Sequence, residues 1–212
     1  MMKKIILAIT FVFLSILIFG GQWEYWGENI VAHKISETET FQANYYFYFK
    51  EIINNNYFQN LSISYTNKIY NGLGLYGEIY TEVLNANSKW NGTNSLVTGI
   101  FYEFPLFDFI TVRIFDRFFY NIINPAKWDY HRPRIFFNFK INNYLFSLSD
   151  ELRLDLTGKR QDVFYKNRLF FSCSKKIWDD IFLGFTYILQ SDKLINEWEN
   201  TNILQTTVKV EF

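Results

Sequence analysis

The chain has 212 residues, with Lys+Arg 21 against Asp+Glu 21 and a formal net charge of +0. That balance excludes a bulk electrostatic attraction to nucleic acid, and a lone cysteine, Cys173, excludes an internal disulfide. The outlier of the composition is its aromatic content, 21% of residues, in a fold that burial and sheet closure must hold together.

Residues 1–21 read as a secretory signal. Lys3 and Lys4 precede the uncharged apolar run Ile5–Phe19, and Gly20 and Gly21 offer small residues for processing. The run is shorter than the roughly 20 residues a spanning helix needs. Ile18 or Phe19 stands where a small residue is preferred, which leaves an uncleaved anchor as the alternative. Residues 22–212 amount to one domain.

From Trp23 onward the apolar period is two, the period of strands. Eleven alternating segments follow one another. The first spans Trp23 to Lys34. The second sets Phe41, Ala43, Tyr45, Phe47 and Phe49 against Gln42, Asn44, Tyr46 and Tyr48. The third, Tyr57 to Lys68, ends before Asn71-Gly72, a tight-turn dipeptide. The fourth sets Leu75, Ile79 and Val83 against Glu78 and Glu82, and the fifth, Ser95 to Phe104, stops at Pro105. The sixth carries Arg113 and Arg117 on its polar parity, the seventh Arg134, the eighth Glu151, Arg153 and Asp155, and the ninth Lys166 and Arg168. The tenth runs from Ile181 to Gln190. In the last, Leu204, Val208, Val210 and the terminal Phe212 share the apolar parity, and Gln205, Thr207, Lys209 and Glu211 the polar one.

Connections near Ser36, Asn71, Pro105, Asn142 and Lys176 read as short. Those over 87–93, 121–131 and 192–199 read as long. All six Trp fall at segment ends or in loops, where a membrane barrel carries its aromatic girdles. The fold expected is therefore all-β, an antiparallel up-and-down transmembrane β-barrel of 10 to 12 strands. Eleven segments conflict with the even number usual in bacterial barrels, so either one segment is split or spurious, or the part before Lys34 threads the lumen. Asp150 is also out of place, because its parity puts it on the lipid face.

An alternating final strand ending in Phe resembles the assembly signal of bacterial outer-membrane barrels, carried here by Val208, Val210 and Phe212. The last third resembles domain-of-unknown-function family 2490, through D-E-L-R-L-D-L from Asp150, Y-K-N-R-L-F-F from Tyr165, F-T-Y-I-L-Q from Phe185 and N-T-N-I-L-Q from Asn200. An acidic pair on one strand, Asp150-Glu151, and Asn167-Arg168 on the next match its pattern. The resemblance implies an outer-membrane barrel and no assigned activity.

The candidate functional residues are the lumen charges Glu151, Arg168, Arg153, Lys166, Arg113, Arg117 and Arg134. A hairpin centred near Lys159 pairs positions that sum to 319, which sets Glu151 opposite Arg168 and Arg153 opposite Lys166. Such charges either satisfy one another in a narrow interior or form an eyelet that selects a solute. Catalysis has thin support. His131, with Asp129 two residues before it, is the one acid–base candidate and has no Ser in a nucleophile-like context, while His33 stands at a strand end. No cofactor or metal motif is present, Gly72-Leu73-Gly74 being a turn into a strand. The function expected is an outer-membrane barrel acting as a small-solute channel or a structural membrane protein. The alternative is a barrel enzyme acting on lipid or lipopolysaccharide near His131. The partners expected are outer-membrane lipid, the barrel assembly machinery and a small solute in the lumen, with no nucleic acid.

Overall fold

The structure is a computed structural model that describes residues 22–50, 55–86, 89–122, 130–158, 163–194 and 197–212. The signal expected at 1–21 lies outside the described residues. The strands are β1 (Gln22–Lys34), β2 (Glu39–Lys50), β3 (Asn55–Tyr70), β4 (Leu73–Ala86), β5 (Lys89–Phe107), β6 (Ile110–Asn121), β7 (Tyr130–His131), β8 (Arg134–Ile141), β9 (Tyr144–Asp155), β10 (Phe164–Trp178), β11 (Ile181–Lys193) and β12 (Trp198–Glu211). No helix occurs among the described residues.

β7 and β8 both lie between β6 and β9, so they are two pieces of one wall strand. The break falls at Arg132-Pro133, because proline has no N–H for the ladder. Arg132 N still donates to Arg117 O at 2.8 Å, and Leu152 N donates to Pro133 O at 3.0 Å, which holds the register across the gap. The wall thus has eleven positions and closes on itself through β1 and β12.

Neighbouring strands are antiparallel everywhere except at that closure, where β1 and β12 run parallel. This corrects the expectation of a wholly antiparallel barrel. With an odd number of strands alternating in direction, the first and last point the same way. The conflict over eleven segments is resolved at the seam, with none spurious, and β1 is a wall strand rather than a thread through the lumen. Parallel pairing is slightly the weaker kind, and side chains reinforce it here. Gln205 Nε2 and Thr207 Oγ1 donate to Glu28 Oε2 at 2.7 and 2.9 Å, and Gln22 Nε2 donates to Glu199 Oε1 at 3.0 Å.

The turns at 35–38, 71–72, 108–109, 142–143 and 179–180 share one rim with Phe212. Asn71 and Gly72 have φ of 40° and 85°, the left-handed pair of the tight hairpin expected there. A Cβ on Gly72 would stand 1.9 Å from Glu103 O, so only glycine fits. The opposite rim carries the other connections and Gln22. Two of the expected long loops are shorter than read, since strand pairing continues into them. Thr93 pairs with Glu82 and Trp90 with Asn85, and Glu199 pairs with Asp192.

Faces follow the period of two. Leu61, Ile79, Leu96, Phe185 and Leu204 point outward and are exposed, Ile79 to 61% and Phe185 to 65%. Asn44, Asn60, Ser62, Ser64 and Ser95 point inward and are buried, with Asn44 Nδ2 donating to Ser62 Oγ at 3.1 Å. Trp178 and Trp198 stand exposed at strand ends. Trp26 departs from that expectation. It points into the lumen and packs with Phe170, Ile188 and Ile203, its ring stacked on Tyr48 at 4.1 Å. Trp128 lies outside the described residues.

Candidate functional site

The interior is organised around one carboxylate. Glu151, on β9, has no solvent exposure. Arg117 Nη2 donates to its Oε2 at 2.8 Å, and Arg132 Nη2 reaches Oε1 at 2.6 Å and Oε2 at 2.8 Å. Three more guanidiniums stand just beyond hydrogen-bond range: Arg153 Nε and Arg168 Nη1 at 3.8 Å and Arg134 Nη1 at 4.0 Å. These five arginines come from β6, β8, β9, β10 and the Arg132-Pro133 break, four consecutive positions of the wall.

Five like charges converge because aromatic faces and neutral acceptors share them. The Arg134 guanidinium lies 3.7 Å from the ring centre of Phe170 and 4.3 Å from that of Phe136. Arg132 lies over Phe119, Arg168 over Trp26 and Arg153 over Tyr130 at 5.0, 5.0 and 5.4 Å. Each such contact is worth about 0.5–2 kcal/mol, more when desolvated. Arg134 also donates twice to Ser149 Oγ, at 3.1 and 2.8 Å, and Arg168 Nε donates to Gln190 Oε1 at 2.6 Å. Nε of Arg117, Arg132 and Arg153 is buried with no hydrogen-bond partner.

Beside this cluster is an interior cavity of about 220 Å³. The five arginines line it together with Phe119 and Phe170, and Glu28, Glu78, Tyr46 and Tyr80 face it as well. At the turn rim lies a mouth of about 680 Å³, lined by Lys34, Lys140 and Lys176 and also by Asp179 and Glu211.

The register expected from the sum of 319 is the one observed: Arg168 pairs with Glu151 and Lys166 with Arg153. The charges sort differently from a set of isolated pairs. Glu151, Arg168, Arg153, Arg117 and Arg134 come together. Lys166 leaves the cluster for Asp192, at 2.7 Å. Arg113 lies nearer the turn rim, opposite Glu103 on β5 and over the Phe101 ring at 4.2 Å. Sequence reading missed Arg132, the shortest contact to Glu151. The signal was its shared parity with Arg134, obscured by the proline between them. Phe101, Phe115 and Phe119 were missed too, since they are apolar residues on an inward face and buried.

The acidic and Asn-Arg motif splits across the wall. Glu151 and Arg168 point inward, while Asp150 and Asn167 point outward, Asp150 half-buried. At the terminal strand, Val208 and Phe212 are exposed on the outer face, 40% and 62%, with Val210 on the same parity.

His131 belongs to the outer face rather than to the lumen. It stacks on Phe118 with ring centres 4.4 Å apart and contacts the Asp116 carboxylate. Asp129, its expected partner, lies outside the described residues. His33 sits at the turn rim, where Nδ1 is 3.1 Å from Phe212 O. Among the described residues, no three His, Cys, Asp or Glu side chains are grouped to hold a metal. Compared with protein-family models and with curated proteins, the chain matches none.

Proposed function

We propose that this chain is an outer-membrane β-barrel protein whose lumen is closed at mid-height by packed side chains. The observation that carries the reading is the inversion of its two faces. Polar residues such as Asn60, Ser62 and Glu151 are buried inside, and large apolar ones such as Ile79 and Phe185 are exposed all around the wall. Soluble monomers rarely expose contiguous apolar patches beyond a few hundred Å², whereas a lipid-facing wall requires them. Closure also leaves no unpaired edge for lipid to meet. The strands, mostly 12 to 16 residues long, exceed the about 9–11 residues that cross the hydrocarbon.

Of the two roles expected for such a barrel, the interior favours a structural or ligand-holding protein over an open diffusion pore. Trp26, Phe170, Ile188 and Ile203 are packed and buried on the inner face, and Arg168 reaches from β10 to the Trp26 ring on β1. The purified protein should need detergent or lipid to fold, run with a heat-modifiable gel shift, and give no discrete conductance steps in a planar bilayer. Recovery as a folded monomer in plain buffer would overturn the membrane assignment. Regular steps would return the protein to the channel class.

A second reading, an enzyme acting on membrane lipid, is favoured by one contact. His131 and Asp116 form the only acid–imidazole pair among the described residues, and they face outward. Phospholipid hydrolysis that disappears in His131→Ala would establish that reading. On the closed-barrel reading no such hydrolysis is detected.

A further inference from the structure

Around the interior cavity the arginines outnumber the acids. Five guanidiniums surround one carboxylate, which leaves four positive charges in excess around Glu151. Glu28 and Glu78, the acids across the cavity, bring the balance to two. Glu28 is already engaged with Gln205 and Thr207. The partnerless Nε of Arg117, Arg132 and Arg153 adds an unmet hydrogen-bonding demand. A buried guanidinium donor without an acceptor is costly, and the demand here comes from cations.

We propose that the interior cavity is a binding site for a small multivalent oxyanion of the phosphate type. The cavity, about 220 Å³, is roughly seven times the liquid volume of a water molecule. It therefore has room for a tetrahedral oxyanion with a few waters and none for a large organic ligand. Guanidinium forks match the oxygen geometry of phosphate in a way point charges do not. Several forks aimed at one volume, stacked on aromatic rings that exclude water, make such contacts strong. At the turn rim Lys34, Lys140 and Lys176 line the mouth together with Asp179 and Glu211, and along β6 Arg113 precedes Arg117 from that end.

The site lies in the barrel interior whether or not the wall faces lipid, so anion binding and membrane insertion fail independently. The test is equilibrium dialysis of the folded full-length protein, in detergent, against inorganic phosphate. Saturable binding of one phosphate per barrel is expected. Arg153→Gln removes a cavity guanidinium that does not hydrogen-bond Glu151 and should weaken binding roughly ten-fold or more. Lys50→Gln, on the exposed opposite rim, should leave it unchanged. Ser172→Asp places a resident carboxylate in the cavity wall and should abolish binding while the heat-modifiable shift is retained. It keeps the test decisive if Arg153→Gln does not fold. No saturable binding to the wild-type barrel would overturn the site. So would wild-type affinity in Arg153→Gln or Ser172→Asp.

Discussion

Replacing Glu151 by Gln should destabilise the barrel by about 3–5 kcal/mol, the scale for stripping one member from a buried charge cluster. Among the described residues, the carboxylate is the only acid within 4.0 Å of Arg117, Arg132, Arg134, Arg153 and Arg168. Its loss leaves five cations repelling one another in a confined interior. Arg168→Gln should cost far less, about 1–2 kcal/mol, because Arg168 hydrogen-bonds Gln190 and stands 3.8 Å from Glu151. From cross-strand pairing alone, the double variant ought to recover part of the loss. With four arginines still facing a neutral amide in place of the carboxylate, recovery should be slight. Urea unfolding midpoints in lipid vesicles measure all three. Equal single effects with substantial rescue would show that Glu151 serves Arg168 alone.

On the outer-membrane reading proposed above, deleting Phe212 should block assembly while leaving export intact. Phe212 N donates to Ala32 O at 3.0 Å, and Lys34 N donates to Phe212 O at 2.9 Å. These are the last rungs of the parallel seam. The Phe212 ring lies 5.2 Å from that of His33 and covers the junction from outside. Opening the seam exposes two strand edges, and each unsatisfied backbone group in lipid costs several kcal/mol. Most of the shortened product should collect in the periplasm in a protease-sensitive form. Lys209→Ala, on the inward face and paired with Glu211, should be tolerated. Insertion of the deletion variant at the wild-type level, with its heat-modifiable shift preserved, would remove Phe212 from assembly.

Much of the architecture was legible because alternation is a local property. Each segment declares its two faces by itself, so Glu151, Arg153, Lys166 and Arg168 are placed inward, and Asp150 outward, without knowledge of any partner strand. A hairpin's register follows from its centre, which is why positions 151 and 168 pair as expected. The Asn71-Gly72 turn is equally local, set by two left-handed residues. Trp26 misled for the same reason. Position near a strand end suggested a girdle, but parity, the stronger local rule, sends it inward.

What the sequence by itself determined is the class: an all-β chain of eleven alternating segments with a polar inner face and an apolar outer one. The tertiary structure alone decided the rest. The direction of the closing pair depends on the strand count of the whole wall, so no single segment reveals that β1 and β12 are parallel. The division of the basic residues among Glu151, Asp192 and the Glu103 level depends on how the four wall strands from β6 to β10 curve about one axis. The pairing rule compares two neighbours at a time, whereas curvature brings Arg117 of β6, which does not pair with β9, to the Glu151 carboxylate. Charge convergence across a closed wall is a non-local property, and only the folded barrel contains it.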